Sequence, residues 1–284
     1  MKLSIAVGAK AAADCGALID ALMDQGLGRR EGVELQIACN HRGAIADGPN
    51  TLISCTSEQS IFQLWRHAAL NSTGDYVVYL PAKAIPANNW LDQAELALAH
   101  RGVHYGAIDP LSKQHFELGY LIEYSQFHSD RQRPPEELPG INLFLPREPL
   151  LASLDTAGFF KSKALARCAA LGLANIWHPD LRVHYDMRTA RGGYWRRRFR
   201  HGRVFGARRH ELPAQPSKAL CILGSFGLPL LRFWRLLRRT HESRHLATAV
   251  RKSALPILWA EVGWSLGELC GYLIGPSAAT DADI

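Results

Sequence analysis

Residues able to do chemistry fall in four places along this chain. The stretch "GDYVVYLPAKAIPANNW" (74–90) reads as a buried strand that runs out into a loop and then a helix. Strand C-terminal ends are where α/β sheets collect ligands, and this one offers Pro81-Ala82-Lys83 with no acid. Second, "HESRH" (241–245) matches H-E-x-x-H, a spacing that on a helix sets two histidines on one face for a metal, with Glu242 as base. No Pro or Gly lies between Leu230 and Leu255, so a helix is allowed there. The surrounding arginines repel a cation, and a third ligand could come only from Glu261 or Glu268, so the zinc reading is set aside. Third, His178, His184, His201 and His210 are candidate ligands, although a lone histidine after a strand, such as His184, is more often a hydrogen-bonded structural residue. Fourth, Arg196-Arg197-Arg198, Arg200 and Arg203 are interleaved with Tyr194, Trp195, Phe199 and Phe205, a pattern that could stack on bases and neutralise phosphates. Neither a Gly-rich dinucleotide loop nor a Walker sequence nor a nucleophile elbow occurs.

Alternating elements would have to position these groups. "KLSIAV" (2–7), "VELQIA" (33–38), "TLISC" (51–55) and "YVVYL" (76–80) are short, β-rich and bounded by turn residues. Between them, 13–26 and 57–71 carry apolar residues at helical steps, the second with Ser57 as its expected N-cap, and Asn88-Asn89 precede a third helix. Further on, "INLFL" reads as a strand, 161–171 as a helix, and "LANIWHPDLRVHYD" as two short strands around a turn at His178-Pro179-Asp180. Strands alternating with helices imply an α/β fold whose mostly parallel sheet is covered on both faces.

Length and composition suit a folded protein: 284 residues, 47% apolar and 21% charged, which excludes wholesale disorder. The six cysteines are scattered without a C-x-x-C pair and read as reduced thiols of a cytosolic protein. The apolar run at the N-terminus is too short for a signal peptide. Charge is distributed unevenly. Between Arg188 and Lys252 the 17 Lys/Arg face only Glu211 and Glu242, which leaves the remainder of a chain of net +7 acidic. That asymmetry points to a polyanionic partner surface.

The character of the chain changes near residue 190, which suggests an α/β domain over 1–190 and a basic, amphipathic helical region over 191–284. Two long helical stretches are expected, 218–240 and roughly 243–275. In the second, Leu255, Leu258, Trp259, Val262, Leu266, Leu269 and Leu273 form one apolar stripe, with Glu261 and Glu268 on the opposite side. Gly263, Gly267, Gly271 and Gly275 recur at four-residue steps, and a ridge of helical glycines invites a second helix or lipid to approach closely. The apolar length is too short, and the two acids too central, for a spanning helix. The pattern suits a helix pair lying in a membrane interface, where Arg232, Arg235, Arg238 and Arg239 face headgroups while the leucines and Trp234 sink in.

Three stretches carry a family resemblance. They are "RHAALNSTGDYVVYL…AIPANNWL" (66–91), "ELPGINLFLPREPLL" (137–151) and "LGLANIWHPDLRVHYD…RRRFRHGRVFGARRH" (171–210), with a tail "GELCGYLIGP" (267–276) of similar character. Together they resemble the family 2 glycosyltransferases of the GT-A fold, over nearly the whole chain. The resemblance implies a nucleotide-sugar-binding α/β domain, an Asp-x-Asp that holds a divalent cation against the diphosphate, a carboxylate general base at a helix start, and a basic helix contacting membrane or a lipid-linked acceptor.

Each acidic motif is missing. The Asp-x-Asp positions are Pro81 and Lys83, which can ligate no Mg²⁺ or Mn²⁺. The base motif is matched by Lys161-Ser162-Lys163 in "GFFKSKALARCAALG" (158–172), and a charged lysine accepts no proton. After the second strand, "ACNHRG" has Asn40 where the family usually places an aspartate. Two readings follow. Either the donor site is disarmed, or Lys83, Lys161 and Lys163 neutralise a phosphate without a metal.

The expectation is therefore a degenerate family 2 glycosyltransferase-like protein with no divalent metal, acting as partner or scaffold of an active glycosyltransferase subunit, or as a homo-oligomer. It would sit peripherally on an anionic membrane surface, at the cytoplasmic face of the inner (plasma) membrane of a bacterium. Lys83, Asn142, His184 and Arg198 are the candidate ligands for a nucleotide-sugar diphosphate or lipid-linked acceptor. Arg196, Arg197, Arg200, Arg232, Arg235, Trp234, Trp259, Gly263, Gly267 and Gly271 are the candidate membrane or partner contacts. A tethering module for lipid or nucleic acid is the reading from outside enzymology, with nucleic acid set aside.

Overall fold

A computed structural model describes residues 2–43, 45–58, 60–112, 116–131, 133–187, 191–209 and 216–275. They divide into two compact units, one of residues 1–111 and 127–186, the other of 112–126 and 187–284. The short segment 112–126, which no break in the sequence pattern sets apart, belongs with the C-terminal helices.

The first unit is built on one eight-stranded sheet. β1 (Leu3–Ala11), β2 (Val33–His41), β3 (Thr51–Cys55) and β4 (Tyr76–Pro81) are parallel to their neighbours in the order β3-β2-β1-β4. Their centres are runs such as Ile5-Ala6-Val7 and Val77-Val78-Tyr79-Leu80, buried on both faces, as a helix-covered parallel sheet requires. The sheet continues β7-β6-β8-β5 with β5 (Ala84–Pro86), β6 (Val103–Pro110), β7 (Leu143–Pro146) and β8 (Asn175–Tyr185). Here β7 is antiparallel to both neighbours, β6 and β8 are parallel, and β5 is antiparallel to β8, so this half is mixed.

Helices α1 (Gly16–Asp24), α2 (Ile61–Leu70), α3 (Trp90–Ala97), α5 (Arg147–Leu151) and α6 (Lys161–Ala170) connect these strands; α4 (Leu118–Glu123) lies in the second unit. Ser60, not Ser57, caps α2. Its Oγ accepts from Gln63 N–H while Gln63 Oε1 accepts from Ser60 N–H, a reciprocal capping box that Ser57 has no partner three residues on to make. The expected pair of strands around His178-Pro179-Asp180 is one strand. Gly106 pairs with His178 and Ile108 with Val183, so residues 179–182 form a bulge in β8 opposite Ala107.

The second unit is helical: α4, α7 (Arg191–Arg208), α8 (Lys218–Gly224), α9 (Leu228–Thr240), α10 (Arg244–Lys252) and α11 (Ala254–Ile274). Each long helix expected from sequence is broken in two, at Ser225-Phe226-Gly227 ahead of Pro229, and at Ser253. The glycine ridge of α11 meets α7. A Cβ on Gly267 would lie 1.9 Å from Phe199 O and one on Gly271 2.3 Å from Arg203 O, while Cβ atoms on Gly202 and Gly206 of α7 would lie 2.2 and 2.3 Å from Trp264 O and Glu268 O. Reciprocal small residues thus let the two backbones touch, and Gly263, Gly267 and Gly271 are an intrachain seam, not a surface for a second copy or for lipid.

Candidate functional site at the strand ends

At the C-terminal ends of the strands, Gly8 of β1 pairs with Pro81 of β4. The absence of a side chain at Gly8 lets α2 pack close, since a Cβ there would meet side-chain atoms of Ile61, Leu64 and Trp65 at 2.9 to 3.1 Å. The chain then turns through Ala82 and Lys83 into β5, where Ala84 faces Tyr185 and Ile85 faces His184. Lys83 stands exposed at the tip of that turn. The other two lysines are engaged. Lys163 forms an ion pair with Asp155 at 2.9 Å, and the half-buried Lys161 donates to Leu138 O at 2.6 Å. Burial holds the Lys161 pKa below the ordinary lysine value, with Glu137 acting in the opposite sense.

Asn142 is a core residue. Wholly buried at φ 50°, it accepts at Oδ1 from Trp90 Nε1–H (3.0 Å), and both its amide hydrogens go to backbone carbonyls, Ala107 O (3.0 Å) and Leu181 O (2.8 Å). Its own N–H donates to Tyr79 O and its carbonyl accepts from Gly106 N–H, so one side chain and one peptide tie α3, β4, β6 and β8 together. The amide hydrogens that would reach a diphosphate are consumed in the sheet. Gly106 leaves the room for this, since a Cβ there would lie 2.0 Å from Leu181 O.

His184 is half-buried in β8, in register with Ile85 on one side and Asp109 of β6 on the other. Asp109, which sequence reasoning passed over together with the whole of β6, is the acid that the fold places in this row. It is 7% exposed, its Oδ1 accepts from Ser129 N–H at 2.9 Å, and His128 Nε2 stands 3.9 Å from it. The signal was the run "VHYGAIDP", bounded by Gly102 and Pro110, in which His104 and Gly106 broke the apolar pattern. Asn40 acts locally. Its amide donates to Thr56 O and Glu58 O, holding the loop after β3 as an acceptor-only aspartate could not.

The divalent cation that the resemblance implies does not fit the residues present. The turn after β4 offers a proline and an ammonium group where two carboxylates would be needed, and Lys83 would repel the ion. Among the described residues, no three His, Cys, Asp or Glu side chains converge as metal ligands. The H-E-x-x-H pattern is split, since α9 ends at Thr240 and α10 begins at Arg244, so His241 and His245 do not share a helix. His210 lies outside the described residues.

In the helical unit, Arg198 is 2% exposed and its Nη2 donates to both carboxylate oxygens of Glu261 (3.0 and 3.1 Å), so it is an internal ion pair and no phosphate ligand. Arg232, expected at headgroups, donates to the same carboxylate, and both guanidiniums lie over the Trp264 ring at 4.4 and 4.8 Å. Glu268 accepts from Arg209, Trp264 and Tyr272. Glu123 lies 3.7 Å from both Arg197 and Arg198; burial raises its pKa, but these arginines and His201 outweigh it and hold the carboxyl below its usual range. Buried acids therefore collect the arginines on the inside, while the apolar stripe of α11 turns outward: Leu255 is 80% and Trp259 63% exposed. Leu220, Leu223, Phe226, Leu230 and Trp234 of the α8–α9 bend are also exposed, and Arg238 lies over the Trp234 ring at 4.8 Å. Arg196 and Arg235 are exposed and Arg200 half-buried. No single described helix is long and apolar enough to cross a membrane; α8 and α9 meet that test only together, bent by 71°.

No family model matches the sequence, and comparison with curated proteins gives no match. Solved structures do resemble it. A mannosyltransferase of Pyrobaculum calidifontis in complex with GDP-Man and Mn²⁺ superposes with a TM-score of 0.55 at 16% identity, over 97% of this chain and 88% of that one. S. aureus TarS in complex with UDP-GlcNAc gives 0.49 at 11% identity, over 98% and 93%. Glucosyl-3-phosphoglycerate synthase of Mycobacterium tuberculosis gives 0.42 at 15%, over 66% and 72%. The chain has the GT-A fold of the glycosyltransferases.

Proposed function

We propose that this chain is a pseudo-glycosyltransferase, a non-catalytic subunit that binds, positions or stabilises an active glycosyltransferase in polysaccharide or glycolipid assembly. It would work peripherally at the cytoplasmic face of the inner membrane of a bacterium. The observation that carries the reading is the turn after β4, where Pro81 and Lys83 stand in place of the oxygen ligands that bridge a cation to a leaving diphosphate. Lys161 and Lys163 at the start of α6 likewise stand in place of a base, and both are held by neighbours of their own. Supporting membrane contact are the exposed apolar side chains of α8, α9 and α11, and a stretch from Ser217 to His241 that contains no acid.

The experiment is calorimetry of the full chain with uridine and guanosine diphosphates, with and without Mn²⁺, beside flotation with anionic vesicles. Expected are no Mn²⁺-dependent nucleotide binding, flotation with anionic but not neutral vesicles, and copurification with a second glycosyltransferase. Turnover of a sugar nucleotide that accelerates with Mn²⁺ would overturn the reading.

One observation favours a second reading, a metal-independent transferase. Lys83 is exposed beside the strand ends and available to a phosphate, and Asp109 lies in the adjoining row. Metal-free micromolar binding of a nucleoside diphosphate, lost in Lys83→Glu, would favour it over the first.

A further inference from the structure

Cys55, the last residue of β3, is in register with Cys39 near the end of the parallel strand β2, and their sulfurs lie 3.9 Å apart. We propose that this pair is a redox-sensitive modification site that closes to a Cys39–Cys55 disulfide on exposure to a disulfide oxidant of the glutathione class. The inference does not depend on the function proposed above.

Geometry comes first. Neighbouring strands run about 4.8 Å apart, inside the range of about 4.4–6.8 Å between Cα atoms that a disulfide spans. The sulfurs must close from 3.9 Å to about 2.0 Å, and Cys55 is exposed and able to move while Cys39 is buried. Among the described cysteines, this pair alone is in direct sulfur–sulfur contact.

Access sets the order of events. The exposed Cys55 thiolate attacks one sulfur of oxidised glutathione; the S–S bond breaks and one glutathione leaves, taking up the proton Cys55 has lost. The Cys39 thiolate then attacks Cys55 Sγ, the mixed disulfide breaks, and the second glutathione leaves as a thiol. Two protein thiols are oxidised and one glutathione disulfide is reduced to two thiols. The first step also prepares the second. Burial, then the hydrogen bond and charge of Cys55, push the Cys39 thiol up to about 11, while the Ala12 N–H and Arg42 act downward. Capping Cys55 removes both of its contributions and leaves Ala12 and Arg42 in place to favour the thiolate. Closure staples the edge strand β3 to β2 beside Asn40, whose amide already ties Thr56 and Glu58 to the end of β2.

The test is oxidation of the full chain in glutathione buffers of graded ratio, acid quench, alkylation and peptide mass spectrometry. The wild type should lose two thiols and yield a Cys39–Cys55 cross-linked peptide that dithiothreitol reopens. Cys55→Ser should abolish the cross-link, and Cys39→Ser should trap glutathione on Cys55 with a lifetime at least about tenfold longer than in the wild type. A mixed disulfide on Cys55 that is equally long-lived in the wild type and in Cys39→Ser would overturn the proposal. So would a cross-link from Cys39 to the buried Cys15, the thiol that shares its electrostatic neighbourhood.

Discussion

Replacing Asn142 separates a core residue from a diphosphate ligand, and the structure supplies the size of the effect. Asn142→Ala removes three side-chain hydrogen bonds and leaves Trp90 Nε1, Ala107 O and Leu181 O without that partner in the interior. At roughly 1 kcal/mol each, this is about 3 kcal/mol. The backbone adds to it. Asn142 sits at φ 50°, where alanine costs about 1 kcal/mol and glycine nothing. Asn142→Ala should therefore destabilise the sheet unit by about 4 kcal/mol, and Asn142→Gly by about 1 kcal/mol less. Asn142→Asp, isosteric but with an oxygen turned toward two carbonyls, should be at least as damaging as the alanine change. Urea unfolding followed by tryptophan fluorescence reads the effect as a midpoint shift of about 2 M at an m-value of about 2 kcal/mol/M. If Asn142→Ala unfolds within about 1 kcal/mol of the wild type, the knot of β4, β6, β8 and α3 does not hold as described.

Other expectations follow from the same contacts. Gly267→Ala drives a methyl into Phe199 O, a backbone atom that cannot step aside, and should cost about 3 kcal/mol, whereas Gly263→Ala has the Trp195 ring as its nearest contact and should cost about 1 kcal/mol; equal urea midpoints would refute the seam. His104 donates through Nε2 to His100 O, so its Nδ1 accepts from His178 Nε2–H at 3.0 Å, and burial, then His178, hold its pKa down to about 4. The unfolded chain takes up this proton near 6.5 and the fold does not until about 4. Stability is therefore complete above about pH 6.5 and declines by up to about 3 kcal/mol on acidification to pH 4. Denaturation midpoints across that range should fall less steeply in His104→Gln, and an unchanged slope would show that another group governs the decline. Reversing Arg196 and Arg235, both exposed, to glutamate should reduce flotation with anionic vesicles, while Arg198→Glu should instead unfold the helical unit, since it sets a third carboxylate beside Glu123 and Glu261.

The strands were legible because "KLSIAV", "VELQIA", "TLISC" and "YVVYL" are short β-rich runs bounded by turn residues. Burial on both faces makes the centres of β1 and β4 apolar, whereas the edge strand β3 exposes Leu52 and Cys55. Helix α3 after Asn88-Asn89 and helix α6 at Lys161 were legible for the same kind of reason, since local pattern and residue type settle them. β6 was not, because a histidine and a glycine interrupt it, and both are explained only by residues far along the chain: His104 by His178, and Gly106 by Asn142 and Leu181.

Sequence alone decided which residues stand at the strand ends, Pro81 and Lys83 after β4 among them. Tertiary structure decided what the polar residues do. Asn142, Arg198 and the glycine ridge look like ligands and contact surface in one dimension, yet each is consumed inside the molecule, and α11 buries its glutamates while its leucines face out. Periodicity fixes which residues share a helix face, whereas the direction that face points depends on the helix packed against it. The reciprocal glycines of α7 and α11, more than sixty residues apart, bring the two backbones into contact and turn the glutamates inward toward the arginines.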